Sequence, residues 1–352
     1  VFRQSQHLRI GIREMLGLED VAATHRALAS VAEVCVRRVV QKHFNQLVAK
    51  YGTPTTSQGD TCELVVLALG KVGGQEPNYH SPLELSFVYE SDGMTQVPLR
   101  SRSVTSTTNA HFFAQLTQRV LKTLTELGPK GRLYDVQTPI RPHGKTGPVA
   151  ISREDLERYL QDESLAPFDL QMYVTTRAIG GTLPARSAIE NCLVDAFLKR
   201  PWNTDHRAAV WEERKAQTTK ASPRNLKRAA GGTAEIETLL HVLQWQQADR
   251  PGMIGVGCLA AVERLRGSGV FNEIEATFWS QAYRFLRQVE SGLRLMNFPA
   301  RHELPTTTVD WRRLASILQH SSSPRLAEEI RDTMTAVHDR FERFFSHDGK
   351  DR

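Results

Sequence analysis

Hydrophobic and polar positions divide this chain into a short helical lead, a strand-rich middle and a long helical remainder. Residues 7–15 alternate apolar and charged and stop at Gly17. Between residues 20 and 48 the apolar positions Val21, Leu28, Val31, Val34, Cys35, Val39 and Leu47 recur at helical spacing, which predicts helix. Residues 51–60, with glycine, proline, threonine and serine, read as a loop. The texture then changes. Residues 63–69 form a short run rich in Val and Leu that ends at Gly70, the mark of a buried strand. Residues 83–89 predict a second strand, stopped by Ser91, Asp92 and Gly93, and residues 133–140 a third. A helix is expected over 109–127, with Phe112, Leu116, Val120 and Leu124 on one stripe. Another should start at Ser152, whose spacing to Asp155 resembles a capping box, and run through Leu160.

Gly180, Gly181 and Pro184 mark a boundary. Beyond it helical periodicity holds over 188–197, 234–247, 256–266, 272–296, 311–319 and 325–345. The aromatic and leucine positions there, such as Phe278, Tyr283, Phe285 and Leu286, are expected in a core, and His241 and His302 in packing or at the surface. The layout is an N-terminal helical segment (1–60), an α/β domain (61–182) and an all-helical bundle (183–352), with no internal repeat.

Composition narrows the class. At 352 residues and 40% apolar content the chain can build two or three packed cores. No apolar run approaches the ~20 residues of a membrane helix, and no secretory leader opens the chain. It begins at Val1 rather than Met, so it is expected to be cut from a longer protein or processed. Four widely spaced cysteines, Cys35, Cys62, Cys192 and Cys258, form no C-x-x-C pair, giving zinc no support and suggesting reduced thiols in a cytoplasmic protein. A net charge of +6 and a pI of about 9.2 favour anionic partners. The basic residues are spread out, however, with one denser stretch from Arg214 to Arg228 and no nucleic-acid motif, so nucleic acid ranks last among the partners considered.

The chemistry is sought first at Gly70-Lys71-Val72-Gly73-Gly74. Glycines after a strand let backbone N–H groups approach a phosphate, although a tight structural turn uses the same residues. The spacing of a P-loop is absent. Eight residues after Gly73, Ser81-Pro82-Leu83-Glu84 leads into the second strand, where residues two apart point the same way.

A glycine pair, a short spacer and an acid-x-acid strand is the pattern of polymerase-β-like nucleotidyltransferases. The longer match is more specific: GKVGGQEPNYHSPLELSFVY, LYDVQTPIRPHGKTGP and NLKRAAGGTAEIE, with HLRIGIREMLGL before them and YRFLRQVESGLRLMN and RHELP after, resemble in order the motifs of the bacterial glutamine synthetase adenylyltransferase and deadenylylating enzyme family. The resemblance implies a polymerase-β-like α/β domain with N-terminal helices and a C-terminal helical bundle. It implies AMP transfer from ATP to a tyrosine of glutamine synthetase, or phosphorolytic removal of that AMP, under a PII-type signal protein. One half of such a protein is covered; Tyr134-Asp135-Val136 leans toward the attaching half, and the choice between halves stays open. Mg²⁺ and ATP or ADP are the implied cofactors. Gly70, Lys71, Gly73, Gly74, Ser81, Arg141 and Lys227 are the implied nucleotide-binding residues.

The departures fall on the metal ligands. Where the family has three aspartates, this chain has Pro82, Glu84 and Gln137. Glu84 is the residual catalytic and metal-binding carboxylate. Asp135 shares the strand face of Gln137, roughly 6.6 Å along the strand, and is a substitute ligand at longer reach. Pro139 replaces an arginine, Ala229 a glycine and Leu170 another arginine of the family pattern. A catalytically impaired transferase module is therefore expected, with a non-catalytic regulatory or protein-binding domain of the same ancestry as the alternative.

Overall fold

The computed structural model describes residues 1–97, 104–129, 131–142, 144, 146–296 and 302–346. His143, Lys145, Asn297 and Arg301 of the quoted motifs lie outside the described residues. In chain order the elements are α1 (Phe2–Met15), α2 (Val21–Tyr51), β1 (Thr53–Pro54), β2 (Leu64–Leu69), α3 (Gly70–Gly73), β3 (Leu83–Tyr89), β4 (Thr95–Gln96), α4 (Asn109–Thr125), β5 (Val136–Gln137), β6 (Ala150–Ser152), α5 (Arg153–Gln161), α6 (Pro167–Gln171), a 3₁₀ turn (Met172–Thr175) and β7 (Arg177–Gly180). Seven helices follow: α7 (Leu183–Lys199), α8 (Thr204–Thr219), α9 (Thr233–Gln246), α10 (Cys258–Gly267), α11 (Glu273–Met296), α12 (Thr308–Ile317) and α13 (Ser323–Ser346).

The α/β region followed by helices agrees with the fold class read from the sequence. The run over 20–48 is a single helix, α2. Asp20 caps it by accepting from Ala23 N at 2.7 Å. It ends at Gly52, whose φ of +81° suits glycine and whose Cα lies so close to β4 that a Cβ would sit 2.2 Å from Gln96 O. Val34, placed on the apolar stripe by spacing, is exposed, because the stripe drifts around so long a helix.

The main sheet has the order β5-β3-β2-β7, with β6 pairing β3 beyond β5. β2 is antiparallel to both β3 and β7, whereas β5 and β6 run parallel to β3. β2 is buried along its whole length, which explains why it reads as a continuous apolar run rather than an alternation. One face of the sheet carries Val66, Ala68, Leu85 and Phe87 against α2 and α4. The other carries Val65, Leu67 and Val88 against α5 and α7, including Leu156, Ile189 and Phe197. A third core joins α8 through α13 around Leu240, Tyr283, Leu286 and Phe341, with Phe278 and Phe285 only partly buried at its edge.

The third strand is much shorter than its sequence span of 133–140. Only Val136 and Gln137 pair with β3. Tyr134 N is taken by Leu124 O at the start, and Pro139 has no N–H to extend the ladder at the end. Sequence periodicity also left out α8, the short β6 and β7. Arg214, inside the basic stretch, is buried at 1% exposure and donates to Thr218 Oγ1 at 2.9 Å and to the Arg228 carbonyl, so that stretch is not a uniform cationic surface.

Candidate functional site

Register decides which side chains meet. Parallel pairing sets Glu84 directly beside Gln137, with Leu83 beside Val136. Pro82 immediately precedes β3, two residues from Glu84 and so toward the same face. The three positions that the resemblance assigns to metal ligands therefore come together as a proline, a glutamate and a glutamine. Asp135 is held on that edge by its backbone, whose carbonyl accepts from Leu83 N at 2.8 Å. Its carboxylate is largely exposed and paired with Arg132. Glu90, just past the end of β3, is used locally, accepting from Glu63 N at 2.8 Å.

Glu84 lies against the glycine turn. Gly70 has φ +51°, and a Cβ there would sit 2.4 Å from Glu84 Oε2. Burial pushes the Glu84 carboxyl pKa up, opposed by the positive charges of Lys227 and Lys71. Burial also lowers the pKa of the Lys227 amine, against the pull of Glu237. Lys71 Nζ forms an ion pair with Glu237 at 2.5 Å and donates to Tyr283 Oη at 2.9 Å. Burial alone would raise the Glu237 carboxyl, but Lys71 and Lys227 together bring it down to about 2. The site thus groups two carboxylates and two amines that compensate one another.

Mg²⁺ demands tight octahedral oxygen coordination, and a two-metal centre needs carboxylates from both strands. Pro82 offers no side-chain donor, Gln137 a neutral carbonyl, and two lysines act on the one remaining carboxylate. Among the described residues no three His, Cys, Asp or Glu side chains cluster with metal-binding geometry. The donor set does not fit a pair of divalent cations.

The other glycines of the turn have packing reasons. A Cβ on Gly73 would meet Thr175 O at 2.4 Å and Ala68 O at 2.5 Å, and one on Gly74 would come within 2.9 Å of Gly257 Cα. Arg141 folds back on its own loop, with Nη2 donating to Thr138 Oγ1 at 2.7 Å. Ser81 Oγ accepts from Asn78 N at 3.0 Å and from Arg294 Nη1 at 2.9 Å.

That last contact belongs to a set of residues that periodicity did not single out. α11 presents Arg287, Glu290, Ser291 and Arg294, all buried, to the segment between the glycine turn and β3. Arg287 donates to Glu76 O and pairs with Glu290. Arg294 pairs with Glu290 at 2.7 Å and donates to Tyr79 O at 2.6 Å. Ser291 Oγ lies 3.1 Å from Asn78 Oδ1. His302, expected in packing or at the surface, is partly buried and brings Nδ1 to 3.1 Å from Glu290. His241 is buried as expected, bonded to Gln171 Oε1 at 3.0 Å, and burial lowers its pKa to about 4. The sequence signal was charge at helical spacing (287, 290, 294), which reads equally well as a solvated face.

With this geometry in place, comparison with known proteins becomes specific. Residues 1–191 match the family model of glutamate-ammonia ligase adenylyltransferase, and residues 204–345 that of GlnD PII-uridylyltransferase. The chain is 27% identical to the bifunctional glutamine synthetase adenylyltransferase/adenylyl-removing enzyme of Vibrio parahaemolyticus, over 99% of this chain and 37% of that protein. It is 30% identical to the enzyme of the same name from Stenotrophomonas maltophilia, over 89% of this chain and 34% of that protein. The Shewanella loihica enzyme is 26% identical over 96% of this chain and 35% of its own length. The chain thus spans only 34–37% of these curated relatives. With more than half of its residues matching that family model, the chain belongs to the glutamate-ammonia ligase adenylyltransferase family.

Proposed function

We propose that this chain is a nucleotidyltransferase module of that family that binds nucleotide phosphates without requiring a divalent cation. Its catalytic capacity is impaired, and its role lies in the control of glutamine synthetase. The observation that carries this reading is the pairing of Glu84 with Gln137, next to Pro82, where the charges of Lys71 and Lys227 act on Glu84, the one carboxylate left among the three ligand positions. A lysine supplies a compact positive charge to a phosphate oxygen without the ligand geometry that Mg²⁺ imposes. Gly70, Gly73, Gly74, Ser81 and Arg141 frame the same site in this reading.

Residual chemistry is the second reading, favoured by Glu84 and by family membership. In that case the module transfers AMP from ATP to a tyrosine of glutamine synthetase, or removes it by phosphorolysis, with weak Mg²⁺ dependence through Glu84 and Asp135. Glutamine synthetase and a PII-type signal protein are the proposed partners, in the cytoplasm. Four buried free cysteines suit a reducing compartment. No described helix is long and apolar enough to cross a membrane.

The test is calorimetric titration with ATP, with and without Mg²⁺, on this chain and on the triple variant Pro82→Asp, Glu84→Asp, Gln137→Asp. The expected result is ATP binding insensitive to Mg²⁺ in the native chain and strengthened by Mg²⁺ in the variant. Binding by the native chain that tightens tenfold or more with Mg²⁺ overturns the metal-independent reading and calls for an adenylylation assay on glutamine synthetase.

A further inference from the structure

Glu237 acts on both lysines of the site. It stands in the second turn of α9, and a tight return of the chain brings Lys227 toward it. Ala234 N donates to Lys227 O at 3.0 Å, and a Cβ on Gly232 would lie 2.6 Å from that same oxygen. From the glycine turn, Lys71 Nζ reaches Glu237 Oε1 at 2.5 Å. Resting on the reading of these lysines as a phosphate site, we propose that Glu237 is an internal competitor of phosphate. Its carboxylate takes the place beside the lysines that a phosphate needs, and its charge sets how tightly, and with what preference for phosphate number, nucleotides bind.

The amine of Lys71 is committed to the bundle. Besides Glu237 it donates to Tyr283 Oη at 2.9 Å, and it lies 5.3 Å from the centre of the Tyr283 ring. Tyr283 is itself fixed, because its hydroxyl donates to Glu76 Oε2 at 2.8 Å, and Glu76 Oε1 accepts from Leu259 N at 3.2 Å. An ammonium has three N–H donors, and the bundle takes two of those on Lys71. The pair borders solvent, with side-chain exposures of 20% for Lys71 and 14% for Glu237.

Lys227 is placed differently. Its amine makes no hydrogen bond or ion pair among the described residues, and Glu237 is the strongest charge acting on it. Against burial, Lys71 and Lys227 bring the Glu237 carboxyl down to about 2, so it stays ionised at neutral pH. Glu84 and Glu237 then match the two lysines one for one. A fixed carboxylate beside a cation repels an arriving anion in proportion to the charge of that anion. The penalty from Glu237 is therefore larger for a triphosphate than for a monophosphate. Affinity gained on removing that charge should grow with the number of phosphates, a signature that packing alone does not produce.

The experiment is calorimetric titration with ATP and with AMP, in chelator and without Mg²⁺, of the native chain, Glu237→Gln and Glu237→Asp, each checked for fold by circular dichroism. Glu237→Gln keeps an acceptor for Lys71 and loses the charge; Glu237→Asp keeps the charge. The expected result is ATP binding tightened about tenfold in Glu237→Gln, AMP binding tightened about threefold or less, and both within about threefold of native in Glu237→Asp. Lysine ¹⁵Nζ NMR of the native chain is a readout that needs no variant: the Lys71 resonance should shift on saturation with ATP, as its amine exchanges Glu237 for phosphate. Three results each overturn the competitor and leave the metal-independent reading standing: unchanged or weaker ATP binding by folded Glu237→Gln, an equal gain for ATP and AMP, and an unmoved Lys71 resonance at saturation. Absence of ATP binding by the native chain and by both variants overturns that reading, and the competitor with it.

Discussion

Replacing Glu290 by leucine probes the polar joint between α11 and the segment that leads into β3. Glu290 is 3% exposed in its side chain and lies between Arg287 and Arg294, at 3% and 5%. Its removal leaves two buried guanidinium groups without a counter-charge, a change that costs about 3–5 kcal/mol when a buried pair is broken from one side. The low end applies here. Arg287 keeps its bond to Glu76 O, and Arg294 keeps Tyr79 O and Ser81 Oγ. A loss of about 3 kcal/mol corresponds to a drop in Tm of roughly 6 °C at ~2 °C per kcal/mol for a chain of this size. The assay is urea unfolding followed by circular dichroism, with hydrogen exchange at residues 76–81 as the local readout. Those amides should lose protection more than the amides of β2 do. The companion variant Arg287→Met/Glu290→Leu/Arg294→Met removes all three charges and should recover part of the loss, since an apolar replacement of a whole buried ion cluster is often near neutral. A single Glu290→Leu variant within 1 kcal/mol of the native chain, with unchanged exchange at 76–81, would refute the clamp.

Acid weakens the same joint. The charges of Arg287 and Arg294 hold the Glu290 carboxyl well below the usual carboxylate range, despite burial that acts the other way. A depressed folded-state pKa means that its stabilising contribution is full above the unfolded value and is lost as pH falls through the folded one. Glu237, brought down to about 2, behaves alike, so its share is lost between roughly pH 4.5 and 2. Lys71→Met should flatten that part of the pH–stability profile and cost about 1–3 kcal/mol near neutrality, measured by unfolding at a series of pH values. Gly231→Ala should destabilise by more than about 2 kcal/mol in the same unfolding assay, because φ is +73° and a Cβ would fall 1.8 Å from Met334 O; equal stability would mean that the turn before α9 can move away from α13.

Much of this architecture was legible in the chain. Length, charge and periodicity set the order of helices, strands and helices, because β2 and β3 must bury themselves and their Val- and Leu-rich runs end at turn residues. The motif order was enough to reveal the family, and the substitutions at 82, 84 and 137 could be read as they stand. Tertiary structure alone decided the partners. That Gln137 falls beside Glu84 depends on a two-residue ladder, shorter than its sequence span because Tyr134 is taken by α4 and Pro139 cannot donate. Lys71 pairs with Glu237, 166 positions away, because α9 packs where the glycine turn ends. The charges at 287, 290 and 294 repeat as on any solvated helix, and only the packing of α11 onto residues 76–81 buries them. Local pattern carries periodicity and turn chemistry; which distant charge meets which, and what burial does to its proton, depends on how the layers close.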